Sequence, residues 1–281
     1  MKSIRITTHS DGTCWISSLP LPTTRRTGTA GTDGYRKMAA GEPPRADFNP
    51  NRSDVLRTIR LDAGRFNGLA TQPGALLHFV ISGRPTLVVG SEFRKLEPGD
   101  IFLADAGSAS RIAIEIEEES CLVQLGVDAD WPGAAAEVPD GGTHQGKSGP
   151  TPKRIYTGED GKAYYAEFAE MFAASPNQWS APTPVTGFRM LRWEDGFMDW
   201  HPTVINQLAI LSSGQMEFEL GGGGGAFETF HAGGICLAED RTGEGHRNRV
   251  SGVSYVTIMV IETGDLWPWT SGNPSVRQDQ G

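Results

Sequence analysis

Apolar positions in this chain come in short runs separated by turn residues. The segments Leu76–Ser82, Thr86–Val89, Ile112–Ile116, Cys121–Leu125, Gly187–Trp193, Gln207–Leu211, Glu217–Leu220 and Ser254–Ile261 are rich in β-branched or aromatic residues and are bounded by Gly, Pro, Asp or Ser. Such runs predict strands joined by tight turns, spaced as in a sandwich or barrel. One run, Ala163–Ala174 (AYYAEFAEMFAA), has helical composition, and Pro176 would stop it. It predicts a short helix. The opening segment IRITTHSDGTCWISSL predicts a hairpin.

Two soft stretches divide the chain. Residues 20–53 are rich in Pro, Thr, Arg and Gly without a sustained apolar period, so 1–53 reads as an N-terminal extension or strap. Residues 128–152 read as a linker. Folded units are expected at 54–127 and 153–270, with a tail at 271–281. The Trp267-Pro-Trp269 pair is expected to close over a barrel end or a partner subunit.

The two units repeat one another. HFVISGRPTLVVGSEFRKLEPGDIFLAD aligns with AILSSGQMEFELGGGGGAFETFHAGGICLAE, pairing Gly83 with Gly214, Gly99 with Gly233 and Leu103-Ala104 with Leu237-Ala238. The length difference falls in Gly221–Gly225, which lacks the Lys-Ser/Thr of a phosphate loop and predicts a hairpin turn.

Composition narrows the function classes. Of 281 residues, 38% are hydrophobic, enough for a core, while 36 Gly and 18 Pro argue against a helical bundle. Net charge is 25 − 34 = −9, so no basic field favours nucleic acid or anionic lipid. Apolar runs are shorter than the roughly 20 residues of a membrane span, and the first residues lack the apolar stretch of a signal peptide. A cytoplasmic protein with neither nucleic-acid nor membrane partners is expected. Its three cysteines form no CxxC pair, and Cys121 and Cys236 read as buried.

With the repeat in place, the second unit resembles the cupin superfamily, whose motifs are G-x5-H-x-H-x3,4-E-x6-G and G-x5-P-x-G-x2-H-x3-N. Gly196-Phe-Met-Asp-Trp-His201-Pro-Thr203-Val-Ile-Asn-Gln207, followed by Gly214, matches the spacing of the first. His201 falls on its first His, Thr203 on its second and Gln207 on its Glu. The second motif covers Gly225 to His246, with His231 at the usual Pro and His246 at the last His. In the first unit the corresponding positions are Ala70, Gln72, Leu76 and Arg111 or Ile112, which cannot bind metal. LAEDRTGEGHRNR and RIYTGEDGKAYY are similar to a group of cupin-domain proteins whose activity is mostly unassigned. The resemblance spans about 75 residues of the first half and about 110 of the second. It implies an all-β fold of two cupin (jelly-roll) barrels in tandem with a short helix between them, and a homodimer.

The resemblance places the working pocket in the second barrel. His201, Gln207 and His246 would ligate one divalent transition metal (Fe, Mn, Ni, Cu or Zn), or line a metal-free pocket. Alternation puts Gln207, Ala209 and Leu211 on one strand face, the interior under the family geometry. Glu239 is the candidate proton-transfer group, while Asp240 reads as a surface acid beside Arg241. Trp193 and Trp200, with Phe197, are candidates for an aromatic substrate wall or for core packing. In the first barrel, His78 and Arg111 form either an anion pocket or ordinary packing, and His231 reads as exposed. The expected function is an enzyme on a small organic molecule, of isomerase, lyase, cyclase or dioxygenase type. The alternative is a metabolite-binding or sensing protein without turnover.

Overall fold

The computed structural model describes residues 1–27, 51–69, 71–133, 139, 151–172, 175–203, 205–222 and 226–261. It is all-β. The first unit contains β1 (Ser3–Thr8), β2 (Cys14–Ser18), β4 (Val55–Leu61), β5 (Gly64–Asn67), β6 (Ala75–Ser82), β7 (Thr86–Val89), β8 (Glu92–Lys95), β9 (Ile101–Ala104), β10 (Ile112–Ile116) and β11 (Ser120–Val127). The second contains β12 (Lys153–Thr157), β13 (Ala163–Glu167), β14 (Thr183–His201), β15 (Gln207–Leu220), β16 (Phe227–His231), β17 (Ile235–Ala238) and β18 (His246–Ile261). β3 (Thr23–Thr27) runs parallel to β14 of the second unit.

Strand pairing repeats from one unit to the other. β1 runs parallel to β9 and forms a hairpin with β2, just as β12 runs parallel to β17 and forms a hairpin with β13. β6 lies between β9 and β11, and the first half of β15 lies between β17 and the second half of β18. What is broken into two strands in the first unit is continuous in the second, so β14, β15 and β18 run as long bent strands through both layers of a jelly-roll barrel. β4 and β14 pair at Leu56–Thr183 and join the halves into one sheet.

Alternation explains why β6 is apolar nearly throughout. Leu76 and Val80 face the first barrel's interior with Phe102 and Ile114. Leu77, Phe79 and Ile81 face the other way, onto Phe188, Met190, Leu208 and Ile210 of the second unit. Each such buried side chain contributes about 1.5–3 kcal/mol over exposure, so the shared layer holds the barrels together. A third cluster, including Leu191, Trp193, Leu211 and Phe218, lines the second barrel.

The repeat's glycines sit at this junction. Gly99 (φ +90°) and Gly233 (φ +85°) adopt the left-handed conformation. A Cβ on Gly99 would lie 2.1 Å from the Ser212 carbonyl oxygen, and one on Gly233 would lie 2.2 Å from that of Ile81. Ser212 and Ile81 are themselves equivalent in the repeat, so the barrels meet through reciprocal contacts.

One sequence expectation is corrected. Ala163–Glu167 is strand β13, followed by a single 3-10 turn at Ala169–Phe172, so no helix stands between the barrels there. Pairing with β12 overrides the helical composition: Tyr164 packs on Tyr156 at 6.0 Å, and the Tyr165 hydroxyl donates to the Phe218 carbonyl at 2.7 Å. The expected hairpin is present as β1 and β2, and β1 pairs with β9 in the first barrel's sheet. Trp267, Trp269, the 271–281 tail and Gly223–Gly225 lie outside the described residues. Among the described residues no helix is long and apolar enough to cross a membrane.

Candidate functional site

The second barrel encloses a cavity between β14, β15, β17 and β18. Its walls are largely apolar, with Leu191, Trp193, Met198, Phe218 and Val256, and the polar groups on it are His201, Thr203, Gln207, His246 and Asn248. The room inside is about 40 Å³, measured to the centres of water-sized spheres. That holds a few waters or a compact molecule.

Its two histidines are brought together by strand register. His201 ends β14, His246 begins β18, and the two are directly paired, which puts both side chains on the interior face. Their ring centroids are 4.6 Å apart at 58°. Gly245 (φ +68°) makes the approach possible, since a Cβ there would lie 2.1 Å from the His201 carbonyl oxygen.

Each imidazole is fixed from behind. His246 Nδ1 lies 2.7 Å from Asp240 Oδ2, and the Thr203 hydroxyl donates to Asp240 Oδ1 at 2.6 Å. The Thr203 amide also donates to the Asp240 carbonyl at 3.0 Å. His201 Nδ1 donates to the Asp199 carbonyl at 2.6 Å. In the neutral form, assigned from these acceptors, both rings carry their proton on Nδ1 and keep Nε2 as the lone-pair nitrogen. Gln207 lines the cavity on the same face as Ala209 and Leu211, and no protein group among the described residues hydrogen-bonds its amide.

Several candidates fall elsewhere. Glu239 forms an ion pair with Arg154 and does not line the cavity, so the acid serving this site is its neighbour. Asp240, expected at the surface, is 0% exposed. Trp193 is buried in the cavity wall, but Trp200 is 38% exposed, with the Arg247 guanidinium 5.0 Å above its ring. It precedes His201 on the strand and faces out. Cys236 lines the cavity, and burial, then the Asp240 charge, push its thiol well above the usual range, which keeps it protonated. His231 is half-buried on β16.

In the first barrel, His78 is fully buried, stacked on Phe102 at 4.3 Å, with Gln124 Nε2 donating to its Nε2 at 2.8 Å. Arg111 instead donates to the Gly12 carbonyl at 2.7 Å on the exposed side, so the two form no anion pocket. The difference between the barrels lies in equivalent pairs. His78 opposes Phe102 across β6–β9, whereas Ala209 opposes Cys236 across β15–β17. The small pair leaves the space that the large pair fills.

The topology is that of two jelly-roll barrels in tandem. Solved structures similar to the chain include a cupin barrel protein and an oxalate decarboxylase. A cupin 2 conserved barrel domain protein from Leptotrichia buccalis is 11% identical, covering 76% of this chain and 85% of its own, with a TM-score of 0.37. A protein of unknown function from Pseudomonas syringae is 14% identical over 92% and 100% of the two chains, TM-score 0.35. A variant of oxalate decarboxylase from Bacillus subtilis is 17% identical over 81% and 75%, TM-score 0.26. No family model and no curated protein matches the chain.

Proposed function

We propose that the protein is a cupin-type enzyme acting on a small organic molecule in the second barrel. The observation that carries this reading is the pair of facing imidazoles, His201 and His246, inside a largely apolar cavity. Both Nδ1 atoms are tied to oxygens, and Asp240 stands behind His246 as outer carboxylates stand behind metal-ligating histidines.

The donor set fits one divalent transition metal, held by His201 and His246 through Nε2 and by the Gln207 amide oxygen. The family's remaining imidazole and carboxylate are missing: Thr203 spends its hydroxyl on Asp240, and Gln207 is neutral. Among the described residues no three His, Cys, Asp or Glu side chains cluster as a metal group, so binding is expected to be looser than in a full set. A bound metal would supply Lewis acidity at a position open to substrate. Thr203 and Asp240 orient His246, while Trp193, Met198 and Phe218 exclude water and limit substrate size.

The test is metal content by plasma mass spectrometry on protein purified without chelator or metal column, beside His201→Ala and His246→Ala. About one equivalent, lost in both variants, supports the reading. Protein that stays empty after reconstitution overturns the metal-dependent form. The unpaired Gln207 amide would then favour a metabolite pocket without metal.

A further inference from the structure

Taking the second-barrel cavity as the working pocket, we propose that Asn248 selects the ligand there. It does so by accepting from an uncharged N–H or O–H group on a compact molecule of the alcohol or carboxamide class. A shielded amide oxygen without a protein partner stands on the wall of a cavity that offers no charge.

Strand register creates this orphan. On β18, His246, Asn248 and Val250 face the barrel interior, while Arg247 and Arg249 face out to Glu219 and Glu217. Asn248 is opposed by Met198 on β14 and by Phe218 on β15. Neither of those side chains carries a donor, and Val250, next on the same face, carries none either. His246 stands two residues the other way, roughly 6–7 Å along the strand. Its Nδ1 is tied to Asp240, which leaves the Nε2 lone pair, another acceptor. Asn248 Oδ1 is accordingly shielded, with no hydrogen bond from the described residues. An unpaired buried acceptor bears the full desolvation cost of that group, so the donor has to come from what occupies the cavity.

Three properties narrow the occupant. The first is charge. No Lys, Arg, Asp or Glu among the described residues lines the cavity, so an ion beside Asn248 would be stripped of water without a counter-charge. The second is room. At about 40 Å³, against about 10–15 Å³ for one water, the chamber takes about three or four non-hydrogen atoms. The third is pairing. The neutral His201 and His246 rings and Asn248 Oδ1 all present acceptors. A ligand that displaces water from such a wall keeps the hydrogen bonds only if it brings donors.

Acetamide and acetone, alike in shape and differing in the NH2 group, are the probes. Each is titrated into the full chain to about 100 mM, because ligands this small bind weakly. Long-range 15N–1H correlations of His201 and His246 report entry into the cavity. Wild type should bind acetamide at least about tenfold more tightly than acetone, since acetone leaves the polar wall unpaired. Asn248→Leu, close in shape and apolar, should abolish the preference by weakening acetamide alone. It should also raise the urea midpoint, because it removes an unpaired buried acceptor. Asn248→Ala should abolish the preference too. Three results would each overturn the role of Asn248 while leaving the pocket in place: acetone bound as tightly as acetamide, a preference that survives both substitutions, or a urea midpoint that falls in Asn248→Leu. Histidine correlations that neither probe moves would count against the pocket itself, and the role of Asn248 would fall with it.

Discussion

Asp240→Asn separates the orienting role of Asp240 from simple packing. The carboxylate is 0% exposed and accepts from both the Thr203 hydroxyl and His246 Nδ1, at 2.6 and 2.7 Å. Asparagine has nearly the same shape. Its oxygen still accepts from Thr203, but its NH2 group now faces Nδ1–H, donor against donor. The imidazole escapes by moving its proton to Nε2, so that Nδ1 accepts. One hydrogen bond to a charged group, about 1.5–3 kcal/mol, becomes a neutral one of about 0.5–1.5 kcal/mol, a net loss of about 1–2 kcal/mol. A domain with stability of about 5–15 kcal/mol survives that. The cavity, however, loses its Nε2 lone pair. Expected together are a modest fall in the urea midpoint, a switch of the His246 tautomer in long-range 15N–1H NMR correlations, and loss of whatever ligand or metal the wild type holds. Asp240→Ala leaves both donors unpaired in a dry site and should cost about 2–6 kcal/mol. A variant Asp240→Asn that keeps His246 protonated on Nδ1 would refute the orienting role.

Other consequences are open to direct measurement. Gly99→Ala and Gly233→Ala should each destabilise by more than about 2 kcal/mol in urea unfolding, from the left-handed penalty of about 1–2 kcal/mol plus the approach to the opposite carbonyl. Markedly unequal losses would contradict the reciprocal junction. Burial holds His78 at about 3, below the usual 6.5, so between those values the unfolded chain takes up a proton that the folded chain refuses. This contribution is complete above about pH 6.5 and fades as pH falls toward 3, by up to about 1.4 kcal/mol per unit. His78→Gln, which keeps an acceptor for Gln124, should lose about 2 kcal/mol less than wild type between pH 6.5 and 5 in the same urea assay; identical losses would show that His78 does not set the slope.

Much of the fold was legible because it rests on local period and turn chemistry. Alternation puts Gln207, Ala209 and Leu211 on one strand face, which the family resemblance makes the interior, and the repeat aligns Gly99 with Gly233, each of which abuts the other barrel. Ala163–Glu167 is not legible as a strand because alanine-rich composition says nothing of the strand beside it. Trp200 was a missed inference, since a residue adjacent to an inward His201 on a strand faces out. Asp240 is harder. Which of two neighbouring acids turns inward after β17 depends on the path of a loop that no periodicity governs. A trace did exist in Thr203: a hydroxyl at an interior ligand position needs a partner, and a carboxylate is the partner that also orients a histidine.

Why, among the described residues, the second barrel holds the cavity and the first a solid core follows from the residues around the histidines more than from the histidines themselves. The first barrel has an inward imidazole too, in His78, at the position equivalent to Ala209. It meets Phe102, where the second barrel has Cys236, and the two rings stack and close the space. Leu76 stands where the second barrel places Gln207, so an apolar side chain replaces that polar one. The same strand register thus yields a solid core in one copy and a small chamber in the other. His201 and His246 have a chamber to face because Ala209 and Cys236 leave it open, and Asp240 keeps one of them facing it.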